Sequence, residues 1–530
     1  MLFTSYQFLG FLAILFPAYY LVPRRMQQPL LLGASWLFYL AAGPKFLLYI
    51  LTTSVTVYLA GRAMGRDLEE QSAYLKAHKD ELSREEKRAY KEGRKRVLFR
   101  WFLGCLLLNL GILAVVKYVN FVIANVNGLL SALGGGELSF LTLALPLGIS
   151  FYTFQAVGYL IDVYRGTVAA ERSFLRFALF VSFFPQLIQG PISRYGDLAP
   201  SLCAPHPYDA KAVSRGLQRM LWGYFKKLVI ADRILAAVST IVGAPEEYRG
   251  AYVFVGMLFY TLELYADFTG GIDITIGVAE ALGVTVQENF RRPYFSKSLK
   301  EYWRRWHISM CAWFRDYVFY PVSISPWMRR FTKFAKEHFG EEAGRRLPVY
   351  LSSFLVWLAT GVWHGASWNF IVWGLANYVV LMLSEELEPA YGRFHRRFPA
   401  LGGAFPYRLF QVGRTFLLVC VLNLFDCYHS LAETFGSIVS MFTVGNWHVF
   451  WDGSLLDLGL SPLDYGILAA GTAVMLGVSL VQRGGGVRER IARRPYPVRF
   501  AVWYGLFLVV LLTGAYGVGY DASQFIYNQF

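Results

Sequence analysis

The chain is short of charge. Of its 530 residues only 16% are Asp, Glu, Lys or Arg, against about 25% in a soluble globular domain. It is also short of cysteine. Five are present, at 105, 203, 311, 420 and 427, and their odd number and lack of metal-type spacing argue against a disulfide framework or a zinc site. No internal repeat and no separate soluble domain can be found. No RNA- or DNA-binding motif accompanies the net charge of +15, which therefore does not point to nucleic acid. A signal-peptide pattern is missing too. Such a segment carries its positive charge ahead of the apolar region, whereas in MLFTSYQFLGFLAILFPAYYLVPRR the charge follows, at Arg24 and Arg25.

What is abundant is apolar surface. Hydrophobic residues make up 55% of the chain and aromatics 17%, and the mean hydropathy is +0.38. With repeated long apolar runs, this describes an all-α polytopic membrane protein. The basic surplus fits loops facing the cytoplasm and anionic lipid headgroups. The same rule places the N-terminus outside and the end of the first span inside.

Apolar runs near 29–43 and 45–61 follow, and then the most charged stretch, 62–100. This stretch is expected to be a cytoplasmic excursion, partly helical and laced with charge pairs. Spans are expected near 101–125 and 139–161. The stretch 175–193 is apolar but interrupted by Pro185 and Pro191, which predicts a broken or re-entrant helix. Residues 207–240 mix Lys211, Arg215, Arg219, Lys226, Lys227 and Arg233 with apolar residues at helical spacing, as in amphipathic helices along the cytoplasmic interface. A span near 250–266 leads into Asp267 and Asp273, two carboxylates around paired glycines; they suit either a proton relay or structural ion pairs. A second basic excursion covers 325–346. Further spans are expected near 348–360, 367–384, 408–427, 430–444, 462–482 and 497–520, making 11 to 14 membrane segments at about 20 residues per span. The whole of 1–530 reads as one integral-membrane domain.

Two stretches carry chemistry: NFRRPYFSKSLKEYWRRWHISMCAWFRDYVFY at 289–320 and GVWHGASWNFIVWG at 361–374. Each sets one histidine, His307 or His364, among tryptophans. Imidazole is suited to moving protons near neutral pH, and an ionisable group at membrane depth is a functional candidate. Without further context, a lone histidine is more often a satisfied core residue than a catalyst. Helical spacing would stack Trp303 with His307, and Trp357, Gly361, His364 and Trp368 with one another. Glycine beside His364 permits close approach of another backbone. Arg304, Arg305 and Arg315, with Arg291, Arg292, Lys297 and Lys300, offer planar and point-charge donors for phosphate or carboxylate. They equally suit anchoring at the interface by snorkelling. A two-histidine metal site lacks a third ligand.

The ordered run of these two stretches, with LPLGISFYTFQAVGYLIDVYRG, FVSFFPQLIQGPISRY and YADFTGGIDITIG upstream, resembles the membrane-bound O-acyltransferase family, most closely its bacterial branch acting on alginate. The likeness covers roughly 1–480. It implies a ring of tilted transmembrane helices around a central tunnel, with re-entrant and cytoplasmic interfacial helices, in a bacterial inner membrane. It also implies an acyl group, acetyl in that branch, passed from a cytoplasmic thioester, acetyl-CoA or an acyl carrier protein, to a hydroxyl of an extracytoplasmic polysaccharide or of a partner protein. No bound cofactor or metal is implied. His364 and His307 would be the catalytic pair, with Trp303, Arg304, Arg305, Arg315, Trp363 and Asn369 as donor or substrate contacts. Partner acetyltransferase or secretion proteins are expected alongside membrane lipid. The alternatives are D-alanyl transfer to teichoic acid, a transporter for polysaccharide or lipid-linked sugar, and a secretion scaffold.

Overall fold

A computed structural model describes residues 2–516, so the far end of the expected span 497–520, and both ends of the expected 1–530 domain, lie outside the described residues. These residues form helices, short 3-10 and π turns and loops, with no strand among them. They cluster into two compact units, residues up to 216 with 278–287, and 217–277 with 288 onward.

Among the described residues, seven helices are long and apolar enough to cross a membrane, or eight if the bent pair Trp368–Glu386 and Glu388–Arg397 acts as one. This is fewer than the 11 to 14 segments expected, because several apolar runs become helices too short to span. Gln27–Leu40 has 14 residues, Ile149–Tyr164 has 16 and Leu431–Thr443 has 13. At about 1.5 Å per residue none reaches the roughly 30 Å of a hydrocarbon core.

In the first unit the charged stretch is more helical than expected. It is the end of helix Pro44–Ala77, a tight turn, and the start of the 49-residue helix Arg84–Ala132. Ser83 closes the turn with a capping box: its hydroxyl accepts from the Glu86 amide and the Glu86 carboxylate accepts from the Ser83 amide. Arg94 of the second helix pairs with Asp67 and Glu70 of the first.

The expected break near Pro185 is present. Helix Phe174–Ser182 ends, Phe183 turns the chain, and helix Phe184–Gln189 begins with Pro185 in its first turn. The break frees the amide of Phe184 and the carbonyl of Phe180, which an unbroken helix would join. Phe184 donates instead to the Ser35 hydroxyl at 3.2 Å, and Phe180 accepts from the Gln155 amide at 3.0 Å. All these atoms are buried, and buried protein replaces the water that a bilayer lacks.

In the second unit, which begins at residue 217, the later part of helix Ala210–Tyr224 runs through a π turn, Phe225–Ala231, into Asp232–Gly243. This region is not purely interfacial. Lys226 and Lys227 are buried, at 4% and 1% exposure. Lys226 pairs with Asp273 at 2.6 Å, and Lys227 with Asp267 at 2.5 Å and Asp232 at 2.7 Å. The reason is the glycine pair: a Cβ on Gly223 would lie 2.6 Å from the Gly270 carbonyl oxygen, so the two helices cross closely enough for lysine to reach aspartate. Of the two readings of Asp267 and Asp273, the structure carries the ion-pair one. The excursion 325–346 is helical and continues into helix Pro326–His364, interrupted at Gly340, whose φ is +89°.

Candidate active site

The site is assembled in the second unit, from the segment 289–309. Its chain doubles back: Arg291 donates its amide to the Arg305 carbonyl at 2.9 Å, and Ile308 donates to the Asn289 carbonyl at 3.0 Å. Inside this clasp stand Arg292 and His307, with φ of +53° and +47°, the non-glycine residues of positive φ among those described. Such a conformation costs on the order of 1–3 kcal/mol and persists where surrounding contacts enforce it, often at functional sites.

The left-handed turn at His307 overturns the expected helical stacking with Trp303. Helix Leu299–Trp303 ends before the turn, and His307 caps the next helix, Ile308–Phe314. Trp303 instead packs on Trp357 and Trp373 and donates its indole N–H to Asn377 at 3.1 Å. His307 is fully buried. Its ring meets Phe268 at 5.0 Å between centroids, and its Nδ1 lies 3.3 Å from Nδ2 of Asn289. Burial pushes its pKa down to about 3, so the imidazole is neutral at physiological pH.

His364 ends helix Pro326–His364, and Trp368 opens the next helix, Trp368–Glu386. The expected four-residue face therefore stops at His364, and Trp368 is exposed. Glycine does bring backbones together here. A Cβ on Gly361 would lie 2.5 Å from the Phe370 carbonyl oxygen, and one on Gly374 would lie 2.5 Å from that of Trp357. His364, half-buried, lies against Trp373 at 4.6 Å and Trp363 at 5.1 Å. Trp363 also neighbours His307, at 6.1 Å. The two histidines, 57 residues apart in sequence, thus share one buried indole as a neighbour.

The basic residues form a cleft of about 1080 Å³, lined by Arg291, Arg292, Arg304, Arg305, Arg483 and Arg488 together with Arg219. Arg219 is committed to protein carboxylates, Asp273 at 2.9 Å and Glu288 at 2.6 Å. Arg305 pairs with Glu301 at 2.5 Å. Arg292 holds its guanidinium over the Phe295 ring at 4.6 Å, with a buried Nε that has no hydrogen-bond partner. Arg315 lies outside this cleft and pairs with its neighbour Asp316 at 2.8 Å. Asn369 is a structural residue, donating to the Tyr428 carbonyl at 2.7 Å and the Thr434 hydroxyl at 3.1 Å. Sequence reasoning missed Arg483 and Arg488. Their signal was a basic run, 483–494, between the last two apolar segments. It also missed Asn289, which no motif marks.

Fold and site describe an all-helical, multi-pass membrane protein with one buried and one half-buried imidazole near a common indole, and an arginine-lined cleft. Residues 168–422 match the membrane-bound O-acyltransferase family model. The chain is 32% identical over 454 residues, 85% of its length and 76% of the relative's, to the probable alginate O-acetylase AlgI of Pseudomonas syringae pv. tomato. To the protein of the same name in Pseudomonas putida it is 33% identical, over 85% of this chain and 82% of that one. It is 29% identical to the teichoic acid D-alanyltransferase of Bacillus subtilis, over 46% and 59% of the two lengths. The chain belongs to the membrane-bound O-acyltransferase family, and it is a membrane O-acyltransferase.

Proposed function

We propose that the protein O-acetylates an extracytoplasmic polysaccharide, taking the acyl group from a cytoplasmic thioester and delivering it to the polymer or to a partner protein that modifies it. The bacterial inner membrane is its location, with the N-terminus outside and the basic stretches 62–100 and 325–346 in the cytoplasm. The acceptor class follows the relatives that cover most of the chain, whose names specify alginate O-acetylation.

In the proposed reaction the acceptor hydroxyl oxygen attacks the thioester carbonyl. A C–O bond forms, the C–S bond breaks, and the hydroxyl proton ends on the departing sulfur. His364 takes that proton as the hydroxyl attacks and returns it to the thiolate, help worth about 10²–10⁴-fold. His307 faces the carbonyl. The arginine cleft holds the phosphates of the donor, coenzyme A or a carrier-bound phosphopantetheine, through charge-assisted hydrogen bonds. Neither a charged donor nor a sugar polymer crosses a bilayer cheaply, whereas an acyl group is small and apolar.

The observation that carries this reading is the convergence of His307 and His364 on Trp363. The test replaces His364 with Gln, confirms membrane insertion, and measures surface-polymer acylation by mass. A loss of at least 10²-fold is expected; wild-type acylation removes His364 as the base. The mass of the transferred group separates acetyl from alanyl.

A further inference from the structure

We propose that Asn289 is a positioning residue that sets the tautomer of His307, fixing its ring hydrogen on Nε2 so that this nitrogen donates a hydrogen bond to the acyl carbonyl. The inference rests on the reading that His307 faces the thioester.

The amide of Asn289 has only one possible orientation. Its Oδ1 accepts from the Ser309 backbone N–H and from the Ser309 hydroxyl, both at 2.9 Å. A backbone N–H can only donate, so that end of the amide is the oxygen. The other end is Nδ2, which can only donate, and it lies 3.3 Å from Nδ1 of His307. A donor so placed favours a lone pair on Nδ1, and a neutral ring then carries its single hydrogen on Nε2. Both residues are fully buried, and the backbone clasp holds them in register, with Ile308 bonded to Asn289 and Arg291 to Arg305.

This divides the labour between the imidazoles. A ring with hydrogen on Nε2 presents a donor there and no base, which suits it to stabilise negative charge developing on the thioester oxygen. The proton transfer falls to His364. Two helices bring aromatic rings against the His307 ring, each in a T-shaped arrangement. Helix 251–281 presents Phe268, and its nearby Asp267 is held by Lys227. Helix 326–364 presents Trp363, whose ring also neighbours His364.

The test uses the full chain in native membranes, with acetyl-coenzyme A as the donor probe. Asn289→Ala, which frees the ring to adopt either tautomer, should lower kcat by up to about 10²-fold, the scale of one lost oxyanion donor, with donor KM little changed. Asn289→Asp still accepts from Ser309 but turns an oxygen toward Nδ1 and draws the ring hydrogen there. Its kcat should fall similarly at neutral pH and recover on acidification, because an imidazolium carries hydrogen on both nitrogens. Wild type and Asn289→Ala have no carboxylate there to raise the proton affinity of the buried ring, so neither should show that recovery over the same pH range. In wild-type protein with ¹⁵N-labelled histidine, the signal absent from His307→Gln should report an unprotonated Nδ1. A protonated Nδ1, wild-type kcat in both Asn289 variants, or a pH-independent loss in Asn289→Asp would overturn the assignment. Should a variant not insert, the labelled wild type decides. Full turnover in His307→Ala would instead remove the role proposed for His307 itself.

Discussion

At the scale of single residues, the site depends on close approach. Gly361 and Gly374 let helices 326–364 and 368–386 touch backbone to backbone, and this contact sets where His364 stands one turn later. A methyl group on Gly361 would meet a carbonyl oxygen that no side-chain rotation can move. Gly361→Ala should therefore cost about 1–3 kcal/mol, the range for overpacking. Lower thermal stability in detergent and reduced acyl transfer with His364 intact are the expected results. Gly477, where an added Cβ would meet nothing within 4 Å, is the control, and Gly477→Ala should leave stability unreduced. The importance of glycine beside His364 was legible in the sequence. The left-handed turn at His307 was not, because four-residue spacing suggests one continuous helical face and only tertiary contacts enforce a positive φ.

At the scale of elements, the buried ion pairs explain why so many lysines and arginines sit in 207–240. The π turn 225–231 places Lys226 and Lys227 side by side inside the protein, each on its own carboxylate of helix 251–281. Lys227→Met would leave Asp267 and Asp232 buried without this cation. Breaking a buried pair from one side costs about 3–5 kcal/mol, so the variant should accumulate poorly and unfold earlier in a thermal-shift measurement. Wild-type stability would show that other groups compensate. An amphipathic pattern records only that polar and apolar residues alternate at helical spacing. It does not say whether the polar face meets water or a partner carboxylate. The broken helix at 183 was better marked, because proline removes an amide wherever it falls.

At the scale of the whole molecule, the net charge of +15 is partly concentrated in one place. The cleft gathers arginines from 291–305 and from 483–488. In the proposed function these hold donor phosphate. Arg292→Gln should then raise donor KM roughly tenfold with little change in kcat, since a charge-assisted hydrogen bond is worth about 1.5–3 kcal/mol. Wild-type donor KM should also climb with salt, as the Debye length falls from about 10 Å at 0.1 M to about 3 Å at 1 M. Donor kinetics across a salt series check both, and a salt-independent KM would argue that the cleft binds no phosphate.

The order of residues alone determined the class of protein, since 55% apolar composition and long uncharged runs leave few ways to exist outside a bilayer. It also marked candidate residues for the chemistry, because imidazole, guanidinium and proline act through properties that need no neighbours to be recognised. Tertiary structure decided what each was used for. It brought two histidines distant in sequence to one indole, turned Lys226 and Lys227 inward, and aimed the Asn289 amide at a ring nitrogen. Those are matters of distance and direction, which depend on how helices cross and where a backbone is held, and no local pattern of side chains encodes them.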